Sequence, residues 1–107
     1  MAAKDGTKKT NWSWRLTMNK YRDKSDFEIN ELVSFSLGYV HTKSFDPCNN
    51  PADAMPIVIE SRIAICPIFS SDWCATSDCD AYRVINKNPL RAAMEVFLMM
   101  KEAENES

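Results

Sequence analysis

Residues 62–69 read Arg62-Ile63-Ala64-Ile65-Cys66-Pro67-Ile68-Phe69, and their reading decides the fold class. Almost continuous apolar character over eight residues predicts a central strand with both faces covered. Pro67 has no backbone N–H to give to a ladder, so this strand must meet a bulge or a free edge. Ser70-Ser71-Asp72 is a turn signal, and Trp73-Cys74-Ala75-Thr76 reads as the returning hairpin strand. Ser77-Asp78-Cys79-Asp80 turns the chain again, ahead of a third strand over Ala81–Ile85. Short strands joined by tight turns predict a three-stranded antiparallel meander.

The flanks of this meander read as helices. Upstream, Ser25-Asp26-Phe27-Glu28 is a capping box, with Ser25 at the N-cap and Glu28 three residues on. Ile29, Leu32, Val33, Ser36 and Leu37 then recur at helical spacing, and Gly38 suits the residue that closes a helix at positive φ. The prediction is a helix over 26–37. Downstream, Asn88-Pro89 repeats a favoured start, with Asn as N-cap and Pro at the first helical position. Leu90, Ala93, Met94, Phe97 and Lys101 share one face of a helix over 89–101, and Val96, Met99 and Met100 broaden its apolar stripe. A polar tail follows.

A third helix is predicted over 52–61, opened by Asn50-Pro51 with Asp53 suited to the helix dipole. Pro56 interrupts that pattern, and Ile57-Val58-Ile59 offers a competing strand. Near the N-terminus, Trp12, Trp14, Leu16 and Met18 alternate with Ser13, Arg15, Thr17 and Asn19, the period of a half-buried strand. The architecture is therefore α+β: a three- to four-stranded antiparallel sheet, meander plus N-terminal strand, packed on one face by an N-terminal and a C-terminal helix. The 107 residues divide into a basic tail over 1–10, one domain over 11–103 and a polar tail over 104–107.

Charge is unevenly spread. Residues 1–24 carry +5 and the remaining 83 carry −7. Trp12 and Trp14 with Arg15, Lys20, Arg22 and Lys24 offer a nucleic-acid reading by phosphate contact and stacking. Trp12 and Trp14 have the same parity, however, so a strand would point both to one face, and core anchoring is the favoured reading. No apolar run approaches the roughly 20 residues that span a bilayer, and no signal peptide is visible, so a cytoplasmic location is expected.

The four cysteines, Cys48, Cys66, Cys74 and Cys79, are expected to be reduced thiols. Their spacings match no common zinc framework, and His41 lies apart, so no metal is expected. Cys66, in its apolar run, reads as a small core residue. Cys48, in a polar loop, is the best candidate for a reactive thiol. Asp72, Asp78 and Asp80 lack the spacing of a calcium loop and read as solvated turn residues. No catalytic constellation is present, and neither an enzyme activity nor a cofactor is expected.

The candidate site is the loop Phe45-Asp46-Pro47-Cys48-Asn49-Asn50-Pro51-Ala52-Asp53-Ala54. Asp46, Asn49, Asn50 and Asp53 supply carbonyl and carboxylate oxygens beside the aromatic Phe45, a ligand or partner surface on one reading. Turn chemistry and helix capping explain the same residue types and account for Asn50 and Asp53. Phe45, Asp46, Cys48 and Asn49 are left unclaimed by local structure. Trp73 and Arg91 complete the candidate set, because a Trp with an Arg suits a stacked base or flat anionic ligand. The commoner reading makes Trp73 a core residue and Arg91 solvated or paired with a carboxylate.

These residues carry a family resemblance. The loop 45–54, Pro56-Ile57, Trp73-Cys74-Ala75, Asn88-Pro89-Leu90-Arg91-Ala92-Ala93-Met94 and Val96-Phe97-Leu98 occur in the order seen in the NinX-like proteins of lambdoid bacteriophages and prophages. Ser25-Asp26-Phe27-Glu28-Ile29-Asn30 resembles the start of those proteins. The match spans about residues 21–101, and residues 1–20 depart from it. The resemblance implies a small phage accessory protein made in the bacterial host cytoplasm, with no catalytic residues to carry over. Three functions are weighed. The first is binding of a host or phage protein, as a counter-defence or host-takeover inhibitor. The second is small-molecule binding, of a nucleotide for instance, at the loop with Trp73 and Arg91. The third is nucleic-acid binding through the basic arm. A homo-oligomer paired through the Trp12–Met18 strand remains open.

Overall fold

The computed structural model describes residues 20–39, 44–78 and 80–106. The expected strand over Trp12–Met18 lies outside the described residues, as does His41. Helix α1 spans Asp26–Leu37, and both arms of its capping box are formed. The Glu28 amide donates to Ser25 Oγ at 3.1 Å, and the Ser25 amide donates to Glu28 Oε1 at 2.9 Å. Gly38 closes the helix at φ 78°, and its amide and that of Tyr39 satisfy the last carbonyls.

Helix α2 spans Pro51–Ser61, so Ile57-Val58-Ile59 is helical and not a strand. The Ala52 amide donates to Asn50 Oδ1 at 3.0 Å, the expected N-cap bond. Pro56 sits inside the helix. The helix persists because the spacing of Ala54, Ile57 and Val58 puts all three into the core. Tertiary burial, at about 1.5–3 kcal/mol per large apolar side chain, outweighs the local preference of a β-branched pair for strand.

The meander forms as strands β1 (Ala64–Ile68), β2 (Asp72–Thr76) and β3 (Arg83–Asn86), antiparallel in the order β1-β2-β3. The 62–69 run therefore lies at an edge, where Pro67 is tolerated, and β2 occupies the centre. This corrects the expectation of a strand covered on both faces. Only the Ile65 side of β1 packs against the core, while Ala64 and Cys66 are exposed. Cys66 is thus not a core residue.

Helix α3 spans Pro89–Glu106 and runs five residues past the predicted end. It packs against all three strands, and α1 and α2 pack against α3. Eight consecutive residues, Arg91–Leu98, are buried, which means that the helix is covered around its whole girth there. The expected α+β class holds. The helices flank the sheet as expected, α3 directly against all three strands and α1 chiefly through α3. Ile29, Val33, Ala75, Ala92, Ala93, Met94 and Val96 are fully buried in this central layer.

One buried hydroxyl stands out. Ser34 Oγ, on α1, is fully buried and has no hydrogen-bond partner among the described residues. Replacing a desolvated, unpaired hydroxyl in a helix by a methyl removes a cost and improves helix propensity. Ser34→Ala is expected to raise the unfolding free energy by about 1 kcal/mol, read as a higher urea midpoint at unchanged slope.

Candidate functional site

The first turn of α3 organises the polar groups of the candidate site. Asn88 is its N-cap, accepting from the Leu90 amide at 2.9 Å. Its Nδ2 points the other way and donates to the Cys48 carbonyl at 2.7 Å and to Asn49 Oδ1 at 3.3 Å. One side chain thus starts a helix and ties the 45–54 loop to it.

Arg91 lies three residues on, with its side chain only 9% exposed. Nε donates to Glu95 Oε2 at 2.6 Å, and Nη1 donates to Asp26 Oδ1 at 2.5 Å. Nη2 donates to the Lys24 carbonyl at 2.6 Å and the Tyr21 carbonyl at 3.0 Å. Burial works against the charge of this guanidinium, but the bonds to Asp26 and Glu95 outweigh it, and its pKa moves upward. Arg91 therefore gathers the turn at 21–24, the start of α1 and its own helix. The fork geometry of a guanidinium allows one side chain to do this.

The loop is stitched from within and from α1. Asn30 Nδ2 donates to Asp46 Oδ1 at 2.7 Å, and Asn30 Oδ1 accepts from the Cys48 amide at 3.1 Å. Asp53 Oδ2 accepts from the Asp46 amide at 2.9 Å and from Asn50 Nδ2 at 3.2 Å. Asn49 Nδ2 reaches both Asp26 Oδ2 and Asp46 at 3.2 Å. Phe45 is half-buried and meets Tyr39 edge-on, ring centroids 5.7 Å apart. The structure brings Asp46, Cys48, Asn49, Asn50, Asp53 and Arg91 into one network. Trp73 stands apart in β2, half-buried opposite Pro67 and Asn86, with no hydrogen bond or ring contact to that network among the described residues.

One expectation changes here, and another is narrowed. Cys48 is fully buried, and burial together with the nearby Asp26 pushes its thiol up to about 12. It is not a reactive thiol. Arg91 takes the carboxylate-paired form of its commoner reading, bound to Asp26 and Glu95, and each of its three nitrogens donates within the protein. Sequence reasoning missed Asn30, Asn88 and Glu95 as members of the network. The signals were a polar residue on the Ile29–Val33 face of α1, and a carboxylate four residues from Arg91 within a helix apolar all round.

The Cys48 environment has a consequence for alkaline stability. A thiol whose folded pKa lies above the unfolded value contributes stability fully present below the ordinary value of 9.0, and lost as pH rises toward about 12. Cys48→Ala is expected to flatten this part of the stability–pH curve. Urea midpoints measured from pH 8 to 10.5 for both proteins test it.

A separate cavity of about 370 Å³ lies between the end of α1, α2 and α3, lined by Leu37, Tyr39, Pro56, Ile57, Phe97 and Lys101 among others. The oxygens of the loop network do not line it.

A family model described as Bacteriophage P22, NinX matches residues 18–101. The chain belongs to the NinX family. No curated protein and no solved structure matches it. The match begins at residue 18, three residues before the resemblance, and it includes the 21–24 turn that Arg91 holds. Every member of the Arg91–Asn30–Asn88 network falls within the NinX-matched span. In this NinX protein the most distinctive loop is therefore bound into the architecture by side chains from two helices. Its membership makes it a phage accessory protein. No helix among the described residues is long and apolar enough to cross a membrane.

Proposed function

We propose that this NinX-family protein is a non-enzymatic accessory protein of the host cytoplasm that acts by binding a host or phage protein. The observation that carries this reading is the sheet face turned away from α3. Ala75 and Val84 point into the core. By alternation, Ala64, Cys66, Ile68, Cys74 and Ile85 share the opposite face. Among the described helices, α3 makes the substantial contact with the strands, and α1 and α2 make little or none. Ile85 is 49% exposed, and Phe69, at the β1–β2 tip, is 85% exposed. An apolar strip edged by Asp72, Thr76 and Arg83 suits a folded protein partner with a complementary apolar centre.

The polar loop supports the same choice by subtraction. Its amides and carboxylates are spent on one another, which leaves little for a nucleotide to recognise. The family's phage context supports reading this binding as a counter-defence or host-takeover role.

The test is quantitative capture from host lysate by the wild-type chain and by a Phe69→Asp, Ile85→Lys variant of native circular dichroism. A specific partner retained by the wild type, and held roughly tenfold or more weakly by the variant, is the expected result. Equal capture by both proteins, or no saturable partner, would overturn the reading. A thermal shift with nucleotides and none with protein partners would transfer the assignment to small-molecule binding.

A further inference from the structure

The face that α3 leaves open holds two cysteines in direct opposition. Cys66 on β1 and Cys74 on β2 are Cα partners in the antiparallel register. Opposed residues in such a ladder stand about 4.5–5.5 Å apart at Cα. That lies inside the roughly 4.4–6.8 Å over which a disulfide closes. Cys66 is exposed, whereas Cys74 is buried. The two are therefore unequal in access, one open to a reagent from solvent and the other behind it.

We propose that Cys66 and Cys74 form a thiol–disulfide exchange site, closing reversibly into a cross-strand disulfide at the expense of a low-molecular-weight disulfide. The Cys66 thiolate attacks one sulfur of the incoming disulfide and expels the first small thiolate, giving a mixed disulfide on Cys66. Cys74 then loses its proton, attacks Cys66 Sγ and expels the second. Two protein thiols are oxidised, one external disulfide is reduced to two thiols, and the two protons end on those thiols. Burial raises the pKa of Cys74, which suits it to the second, intramolecular step, where proximity replaces a high thiolate fraction. Nearby Arg83 favours the Cys74 thiolate and Asp80 opposes it. The bridge ties β1 to β2 around the tip that carries Phe69.

The experiment uses the folded full-length chain with glutathione disulfide as the oxidant and intact mass as the readout. The wild type is expected to lose about two mass units, restored by dithiothreitol. Cys79→Ser is expected to keep that loss, and Cys66→Ser to abolish it. Cys74→Ser is expected to stop at a stable glutathione adduct on Cys66. If Cys79→Ser abolishes the loss, or if the wild type accumulates only the adduct, the assignment is overturned. Cys66→Ser replaces an exposed side chain, so its fold is secure even if Cys74→Ser is destabilised.

Discussion

Arg91→Met is expected to lower the unfolding free energy by about 3–5 kcal/mol, the cost typical of breaking a buried ion pair from one side. For a chain of 107 residues, total stability on the order of 5–15 kcal/mol makes this loss close to unfolding. The reason is the company Arg91 keeps. Glu95 is fully buried and would be left as a carboxylate without its guanidinium. The carbonyls of Tyr21 and Lys24 would each lose the guanidinium donor, and Asp26 would lose its ion-pair partner Arg91. Removing both charges is a different experiment. Arg91→Met with Glu95→Leu replaces the pair by apolar side chains in a helix already covered all round, and such exchanges are often close to neutral. The double variant is therefore expected to recover more than half of the loss. Urea denaturation of the two single variants and the double variant gives the coupling directly. Additive effects would mean that the pair is not the unit described.

Asn30→Leu carries the next largest effect, a loss of about 2–4 kcal/mol. From α1, Asn30 donates to Asp46 and accepts from the buried Cys48 amide. Leucine would leave that amide buried and unpaired and remove a charge-assisted bond from Asp46. Helix α1 itself should survive, because its capping box is independent of Asn30. The expected signature is local: amide exchange at Cys48 and Asn49 rises by more than exchange within α1. Uniform acceleration across both segments would count against a role for Asn30 in holding the loop.

Much of the architecture was legible because it rests on local chemistry. The capping box at Ser25–Glu28, the glycine at 38 and the two Asn-Pro starts mark helix ends through bonds that span three or four residues. The turns at 69–71 and 77–80 separate short strands in the same way. The candidate site was legible in part. Asn50 was assigned to capping and caps α2, whereas Asp53 lies in the first turn as expected and also binds the Asp46 amide in the loop. Asp46, Cys48 and Asn49 had no local explanation, since their partners Asn30, Asp26 and Asn88 lie 16 to 40 residues away in the chain. No spacing rule connects them.

The same distinction explains the two cysteines that changed places. Cys66 stood in an apolar run and Cys48 in a polar loop, and residue type pointed one inward and the other outward. The edge position of β1 exposes Cys66, and the closure of the loop over α1 and α3 buries Cys48. Sequence by itself determined most of the elements, the starts of the helices and the α+β class, because periodicity and capping act within a few residues. Only the tertiary structure decided which strand is central, which helix lies in the middle layer and what Arg91 is for. Those outcomes depend on packing between distant segments, where one guanidinium can satisfy a turn, two helices and a buried carboxylate at once.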